Sequence, residues 1–397
     1  MLLGFDVLLF KSICFKLSRV GKNVSTNENK KKVTFAISTL GGGGAEGVCV
    51  NIANNLVERG WQVTLVVLNL DDAVHTSKLN VGVELIVVGA KNARYAFIPL
   101  FKCLKKLNPE IVIAFNYELT IVLQMLRGFC SLNYLLLSRN INSMSEIAKN
   151  NKGIKLKLYF FLLKYSYSKC DFIINQCNEM QVDLLNIIPS LENKSHVIYN
   201  PVNSSVEGFI AGFDFSTIEK KDYFLCIGRL EKQKAFHYAI KAFALVSNRH
   251  MNLRLKIIGK GSLEDSLKAL ADKLNVSDKV DFEGFQNQTI PYYLQAKATL
   301  LTSLYEGFPN VLIESISLGT PVIAYDCKSG PSEIITSNNG VLVKQNCVKS
   351  MASEMEKILV NESHPQRIRE TSSKYRLNEV INVWESILEE FIPSKRT

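Results

Sequence analysis

The sequence predicts an α/β protein with two Rossmann-like domains, and three observations support this prediction. The chain of 397 residues is long for one core, and a hydrophobic fraction of 47% is ample for two. Short apolar runs alternate with helical patterns in both halves, which is typical of βαβ units on parallel sheets. A segment between Asn200-Pro201 and Lys220 mixes Pro, Gly, Asn and Ser without a clean period, and it separates the halves.

Residues 1–30 are predicted to form a basic amphipathic segment of their own. Its basic residues are Lys11, Lys16, Arg19 and Lys22. The apolar run at the N-terminus has no basic residues ahead of it, is interrupted by Asp6 and is too short to span a bilayer. No small-residue cleavage site follows, so a secretory signal is not expected.

A glycine-rich loop follows the first predicted strand, VTFAISTL. Gly42, Gly44 and Gly47 match the dinucleotide-binding pattern G-x-G-x-x-G, and Asp71 follows about twenty residues later, after another strand. The intervening helix is predicted from about Val48 to Arg59. An oxidoreductase that binds NAD or NADP is therefore one interpretation of the first half.

A long basic stretch lies between Glu146 and Asp171, where the sequence has no acidic residue. Six lysines surround the segment LYFFLLKYSY, namely Lys149, Lys152, Lys155, Lys157, Lys164 and Lys169. With a net charge of +10, this stretch favours an anionic membrane surface as a partner. A buried helix whose lysines reach the solvent is the alternative. Nucleic acid is not expected, because no RNA-binding signature or helix-turn-helix pattern occurs.

The second half contains two carboxylates, Glu306 and Glu314, separated by seven residues. The run from Ala296 to Leu304 predicts a buried strand, and Pro309 suits the first position of a helix that Gly319 ends. Such a helix start can hold a phosphate, and carboxylates accept hydrogen bonds from the hydroxyls of a sugar and a ribose. An ordinary strand-to-helix corner with two solvated glutamates is the alternative.

Two cations, Arg229 and Lys234, follow the strand YFLCI on one turn. Ligands of open parallel sheets lie outside the carboxyl ends of the strands, where this turn would lie, and both cations suit a diphosphate. Either residue alone is most often a solvated surface charge.

Together these motifs resemble the retaining glycosyltransferases of the GT-B fold. Their family, glycosyl transferases group 1, includes sucrose synthase and bacterial mannosyl- and N-acetylhexosaminyl-transferases. The resemblance covers most of the chain. It is carried by Gly228-Arg229-Leu230 with Lys234, Gly259-Lys260-Gly261, the pair Glu306 and Glu314, Gly319-Thr320-Pro321-Val322-Ile323, and Gly330-Pro331-Ser332-Glu333-Ile334. The Ser-Gly-Pro sequence before Glu333 is similar to the subgroup that builds bacterial surface polysaccharides.

The resemblance implies two Rossmann-like domains that face each other across a cleft. Residues 31–201 would form the acceptor-side domain, residues 202–370 would bind the nucleotide-sugar, and a final helix in 371–397 would pack back toward the first domain. On the acceptor side, the glycines of the loop would allow close approach to phosphates or to the acceptor.

The family's site residues carry over to matching positions. Arg229 and Lys234 would hold the donor diphosphate and Glu306 the donor sugar, as the catalytic set, and Glu314 would hold the ribose. The donor pocket would further comprise Gly228, Gly259, Gly261, Gly307, Phe308, Pro309, Asn310 and Val311. On the acceptor side we select Gly43, Gly44 and Arg139. Many relatives carry a histidine near the position of Arg139, which would contact an acceptor phosphate or form a structural ion pair.

The implied reaction moves a hexosyl or N-acetylhexosaminyl group from a UDP-sugar to a lipid-linked or surface-polysaccharide acceptor, with retention. No cofactor and no metal are expected, because the chain lacks Asp-x-Asp and its five histidines form no close cluster. Nine cysteines without a C-x-x-C pair favour the cytoplasm. The basic stretches favour a peripheral position on the inner face of the plasma membrane. The alternatives are the NAD(P)-dependent oxidoreductase and a non-catalytic nucleotide-sugar-binding protein.

Overall fold

The computed structural model describes residues 31–149, 154–361 and 363–392, which divide into two compact units. Of these described residues, the first unit contains those from 31 to 176, from 180 to 198 and from 381 to 392. The second contains residues 177–179 and 199–380. The predicted basic segment 1–30 lies outside the described residues.

The first unit is built on a seven-stranded sheet in the order β3-β2-β1-β4-β5-β6-β7, and every strand pair is parallel. Its strands are β1 Lys32–Ile37, β2 Gln62–Val67, β3 Glu84–Val87, β4 Ile111–Ala114, β5 Leu135–Arg139, β6 Phe172–Asn175 and β7 Ser195–Val197. The strand order reverses at β1, which pairs with both β2 and β4. In open α/β sheets, ligands bind at the carboxyl ends of the strands beside such a reversal.

Six α-helices connect these strands. They are α1 Gly44–Glu58, α2 Phe97–Leu107, α3 Tyr117–Phe129, α4 Met144–Lys149, α5 Ile154–Lys169 and α6 Asn178–Ile187. Helix α1 begins about one turn earlier than predicted, with Gly43 in an extended conformation before it. The Gly47 N–H already bonds the Gly43 carbonyl at 3.1 Å, so the glycine loop itself supplies the first helical turn.

The second unit is built on a six-stranded parallel sheet in the order β10-β9-β8-β11-β12-β13. Its strands are β8 Tyr223–Ile227, β9 Arg254–Ile258, β10 Val280–Gly284, β11 Ala298–Leu301, β12 Val322–Tyr325 and β13 Gly340–Val343. Its helices are α7 Ser204–Ala211, α8 His237–Ser247, α9 Glu264–Lys273, α10 Ile290–Gln295, α11 Asn310–Ser317, α12 Pro331–Ile334, α13 Val348–Val360 and α14 Pro365–Glu370. A last helix, α15 Leu377–Glu390, starts in this unit and contributes to the first unit from Ile381 onward.

The central strands of both sheets are buried on both faces, because helices cover the two sides of a parallel sheet. All residues of β4, β11 and β12 are buried, which explains why these strands read as continuous apolar runs rather than alternating ones. The predicted fold class, two Rossmann-like parallel-sheet units, is confirmed. No helix in the described part of the chain is long and apolar enough to cross a bilayer.

Residues from the C-terminal end of the chain complete the core of the first unit. Trp384 is buried and stacks on Phe115, with 6.4 Å between the ring centroids and 5° between the planes. Its ring also lies 6.5 Å from Phe35 of β1. Next to it, the Glu385 carboxylate accepts hydrogen bonds from Trp61 Nε1 at 2.9 Å and Arg59 Nη1 at 3.1 Å. The aromatic stack therefore fixes this part of α15 to the sheet.

We expect Trp384→Ala to destabilise the first unit by about 3–5 kcal/mol, because it removes a large buried aromatic ring and leaves a cavity. Unfolding followed by intrinsic fluorescence and circular dichroism measures the effect. Val383→Ala is the matched control, since Val383 is its neighbour on the same helix but is 44% exposed. A Trp384→Ala variant as stable as the Val383→Ala variant would contradict a packing role for the ring.

Candidate functional site

Two turns at the carboxyl ends of β8 and β9 pack backbone against backbone. The Gly228 N–H donates to the Ile258 carbonyl at 2.9 Å, and the Leu230 N–H donates to the Lys260 carbonyl at 3.0 Å. A Cβ on Gly259 would lie 1.9 Å from the Gly228 oxygen, and Gly259 has a φ of +141°. A Cβ on Gly261 would lie 2.5 Å from the Leu230 oxygen. Only glycine fits at these positions, and the approach fixes the turn that carries the cations.

An ion pair lies directly beside these turns. Glu306 is 5% exposed, and its Oε1 accepts hydrogen bonds from Lys234 Nζ at 2.6 Å and from Ser303 Oγ at 2.5 Å. The Lys234 carbonyl accepts from Thr302 Oγ1 at 2.9 Å, so the backbone of the lysine is held as well. Arg229 lies on the same turn and its side chain is exposed. Lysine has three N–H donors, so Lys234 can bind an anion while it contacts Glu306.

The loop after Glu306 leads into helix α11. Pro309 has φ −80° and ψ 93° and lies just before the helix, so its predicted place as the first helical residue is wrong. The φ that proline fixes is compatible with the extended residue before a helix as well as with the first helical position. The Pro309 ring lies close to Gly330, where an added Cβ would be 2.6 Å from Pro309 Cδ. Asn310 begins α11, and its Oδ1 accepts from Asn200 Nδ2 at 2.6 Å. Phe308 is buried between Tyr199 and Tyr375, with ring centroids 5.7 and 5.6 Å away.

Glu314 lies in the second turn of α11 and is half-buried. Its Oε2 accepts a hydrogen bond from the Tyr293 hydroxyl at 3.0 Å. Gly319, with a φ of +77°, follows the end of the helix in the left-handed conformation predicted for its cap.

The structure therefore brings the donor-side residues of the second unit to one edge of its sheet. Gly228, Arg229, Lys234, Gly259 and Gly261 follow β8 and β9, and the segment from Glu306 to Glu314 follows β11. These three strands are neighbours in the sheet. Cations, carboxylates and the start of α11 combine here, and this combination can bind a phosphorylated, hydroxyl-rich ligand.

The acceptor-side residues lie at the carboxyl ends of strands in the first unit. Gly43 and Gly44 are at the start of α1, and Arg139 is the last residue of β5. Arg139 is 1% exposed, and its guanidinium lies over the Phe115 ring at 5.3 Å. Burial lowers the pKa of Arg139 to about 10. Asp71, the carboxylate of the dinucleotide pattern, is exposed and lies beyond the end of β2.

Three residues near these sites were not selected from the sequence. Ser303 and Tyr293 bind the two carboxylates, and the ring of His75 packs against Gly47 of the glycine loop, where an added Cβ would lie 3.3 Å away. Burial lowers the pKa of His75, and Lys78 lowers it further. Ser303 precedes Glu306 by three residues and could have been found by its spacing. Tyr293 and His75 reach their partners through the tertiary fold, and no local pattern marks them.

Comparisons with known proteins match both halves of the chain. The family model described as "Glycosyltransferase Family 4" matches residues 42–206, and the model described as "Glycosyl transferases group 1" matches residues 212–375. Residues 212–375 belong to the glycosyl transferases group 1 family. The family resemblance drawn from the motifs is confirmed, and this chain is a glycosyltransferase. The oxidoreductase interpretation of the glycine loop is set aside, because that loop lies within a glycosyltransferase match.

Relatives of this glycosyltransferase occur in bacteria and archaea. It is 29% identical over 248 residues to an uncharacterized glycosyltransferase of Methanocaldococcus jannaschii, covering 59% of this chain but only 60% of that protein. It is 26% identical to the N-acetylgalactosamine-N,N'-diacetylbacillosaminyl-diphospho-undecaprenol 4-alpha-N-acetylgalactosaminyltransferase of Campylobacter jejuni, covering 83% of this chain and 90% of that protein. The crystal structure of Anabaena HepE in complex with UDP is similar in fold, with a TM-score of 0.72 and 16% identity, covering 90% of this chain and 100% of that one.

We expect Gly259→Ala to destabilise the second unit by about 3 kcal/mol or more, since its Cβ would overlap the Gly228 carbonyl oxygen. Urea unfolding measures the change. Gly284→Ala is the control, because Gly284 also has a positive φ of +67° but has nothing within 4 Å of an added Cβ. The Gly284→Ala variant therefore measures only the free-energy cost of placing a side chain at a positive φ, about 1–2 kcal/mol. Equal losses in the two variants would show that the close approach of the turns contributes nothing.

Proposed function

We propose that this glycosyltransferase moves a hexosyl or N-acetylhexosaminyl group from a UDP-sugar to a lipid-linked or surface-polysaccharide glycan, with retention at the anomeric carbon. The observation that carries the proposal is the buried contact between Lys234 and Glu306 on the turn that bears Arg229. Cations next to a carboxylate match the two ends of a sugar diphosphate, whose phosphates are anionic and whose sugar hydroxyls are hydrogen-bond donors.

In this proposal Arg229 and Lys234 neutralise the diphosphate as it leaves. Glu306 accepts hydrogen bonds from the donor sugar and, through its contact with Lys234, keeps the ammonium group close to the phosphate. The bond between the anomeric carbon and the phosphate oxygen breaks, and a bond to the acceptor oxygen forms on the same face of the sugar. The acceptor proton passes to the leaving phosphate oxygen, so neither a metal ion nor a protein base is required.

The nature of the nucleotide and acceptor is supported by the relatives. The solved HepE complex contains UDP, which favours a UDP-linked donor. The Campylobacter jejuni relative acts, by its name, on a glycan carried by diphospho-undecaprenol. A lipid-borne acceptor would require this enzyme to work at the membrane surface, peripherally and on the cytoplasmic side.

Helix α5 offers a surface that suits this location. Leu158, Phe161, Leu162 and Tyr165 recur at helical spacing and are exposed by 39%, 64%, 39% and 52%. The opposite face of the helix, with Leu163 and Tyr167, is fully buried in the core of the first unit. The helix is therefore apolar on two faces, one buried in the core and one exposed.

Lysines flank this exposed apolar stripe. Lys157 and Lys169 are exposed, and Lys164 is half-buried. The side chains of Lys149, Lys152 and Lys155 lie outside the described residues. With no acidic residue between Glu146 and Asp171, the surface is complementary to an anionic bilayer, into which the apolar stripe would insert.

We expect Lys234→Ala to reduce turnover about 10²-fold or more, the scale of losing one group that stabilises charge on the leaving group. Release of the nucleoside diphosphate from a panel of UDP-, GDP- and ADP-sugars measures this and identifies the donor. Lys232→Ala is the control, because Lys232 is an exposed lysine on the same loop and should retain activity. Glu306→Gln should also be severely impaired while remaining folded.

Two results would contradict the proposed function. Unchanged kinetics in folded Lys234→Ala and Glu306→Gln would remove this ion pair from the reaction. Binding of UDP without turnover of any UDP-sugar, across lipid-linked and polysaccharide acceptors, would favour a non-catalytic nucleotide-sugar-binding protein.

We expect Phe161→Glu with Leu162→Glu to abolish binding to anionic vesicles, because the change places two charges where the stripe would enter the bilayer. Cosedimentation with vesicles that contain phosphatidylglycerol measures binding. Val182→Glu is the control, since Val182 is 58% exposed on α6, outside the stripe. Salt should release the wild type only in part, because screening over about 8 Å weakens the lysine contribution but not apolar insertion. Equal binding of all three proteins would rule out the stripe as a membrane contact.

A further inference from the structure

The carboxylate of Glu314 is held by a tyrosine that belongs to another helix. Tyr293, on α10, is fully buried, and its hydroxyl donates to Glu314 Oε2 across 3.0 Å. Burial and the neighbouring Glu314 carboxylate raise the pKa of the Tyr293 hydroxyl well above its ordinary value. The tyrosine therefore remains a protonated hydrogen-bond donor throughout the physiological pH range.

The backbone that carries Tyr293 is fixed by two further contacts. The Tyr293 carbonyl accepts from Thr320 Oγ1 at 2.6 Å, and Lys220 Nζ donates to the same Thr320 oxygen at 2.7 Å. The Tyr292 carbonyl accepts from the Tyr223 hydroxyl at 2.7 Å. These hydrogen bonds hold helix α10 against β8 and against the turn after α11. The Tyr293 phenol therefore reaches Glu314 from a fixed backbone.

A glutamate on a helix ordinarily samples several rotamers, and ordering such a side chain on binding costs roughly 1–2 kcal/mol. A hydrogen bond from a buried phenol selects one orientation before the ligand arrives. Because the ionised carboxylate only accepts hydrogen bonds, a ligand at this position must offer donors. The vicinal hydroxyls of a ribose provide these donors. A ribose ring without hydroxyls would displace water from the partly buried carboxylate and offer no hydrogen bond in its place.

We propose that Tyr293 is a positioning residue that orients Glu314 toward the nucleotide ribose and makes the donor site select ribonucleotides over their deoxy analogues. This inference rests on the proposed function and on the role in binding the donor ribose that the family resemblance implies for Glu314. The tyrosine does not touch the ligand itself and acts through the carboxylate.

The test compares the binding of UDP and of 2′,3′-dideoxy-UDP by calorimetry. We expect the wild type to bind UDP at least about tenfold more tightly, in line with the cost of leaving a site's polar group unpaired. Tyr293→Phe should weaken UDP binding by about five- to tenfold and leave dideoxy-UDP binding nearly unchanged, so the preference for the ribose largely disappears. A general structural defect would weaken both ligands equally.

Tyr134→Phe is the matched control, since it removes another buried tyrosine hydroxyl that donates to a backbone carbonyl, that of Leu123, in the first unit. It should retain the preference for UDP. Glu314→Ala provides the second variant, and the double variant with Tyr293→Phe should bind UDP no more weakly than Glu314→Ala alone, because Tyr293 acts only through the Glu314 carboxylate.

Equal losses for UDP and dideoxy-UDP in Tyr293→Phe, or additive losses in the double variant, would overturn the positioning role while leaving the proposed function intact. If the wild type binds GDP or ADP more tightly than UDP, that nucleotide and its dideoxy analogue replace the uridine pair. Failure of the wild type to bind any of the three nucleotides would instead overturn the proposed function.

Discussion

The arrangement of the predicted donor-binding residues in the second unit depends on one close approach, that of the two turns after β8 and β9. Their backbones meet where a Cβ on Gly259 would lie 1.9 Å from the Gly228 oxygen, a contact that no other residue permits. This approach fixes the turn from which Lys234 reaches Glu306. Burying two charges costs desolvation energy, and it is tolerated only when geometry and additional hydrogen bonds compensate. Ser303 supplies one such bond to Glu306, so packing and charge in this region are parts of one arrangement.

In both sheets, the residues that stabilise the fold are separate from the residues that are available for ligand binding. Strands such as β4 and β11 are wholly buried and apolar, and they supply the core. The polar residues follow at the carboxyl ends, where the chain leaves the sheet and backbone groups remain available for ligands. The loops can therefore carry strained and charged residues, because the free energy that these residues cost is offset by the buried core, which the loops do not enter. It also explains why a glycosyltransferase site can be recognised on a sheet architecture shared by many unrelated functions.

The first unit uses buried and exposed aromatic residues for different purposes. Phe115 receives the Trp384 ring and also lies beside the Arg139 guanidinium, so it joins the end of the chain to the carboxyl edge of the sheet. Burial of Arg139 lowers its pKa to about 10, yet the side chain remains protonated near neutral pH. On α5 the aromatic residues are divided, with Tyr167 in the core and Phe161 in the solvent. Apolar side chains exposed at helical spacing are unusual for a helix in water, since a continuous apolar surface normally contacts another surface.

The sequence alone determined the fold class and the family, because both depend on local signals. Alternating apolar runs and helical patterns predict parallel sheets, and the ordered set of Gly228-Arg229, Lys234, Glu306 and Glu314 is specific to a glycosyltransferase. Tertiary structure decided which groups meet. Pro309 lies just before α11, close to Gly330, and Tyr293 reaches Glu314 from a different helix. The exposure of Phe161 and the burial of Arg139 could not be predicted from the sequence either, because the environment of a side chain depends on elements that are distant in sequence. Spacing along the chain records periodicity and turns, whereas these contacts arise only when the sheets bring separate segments together.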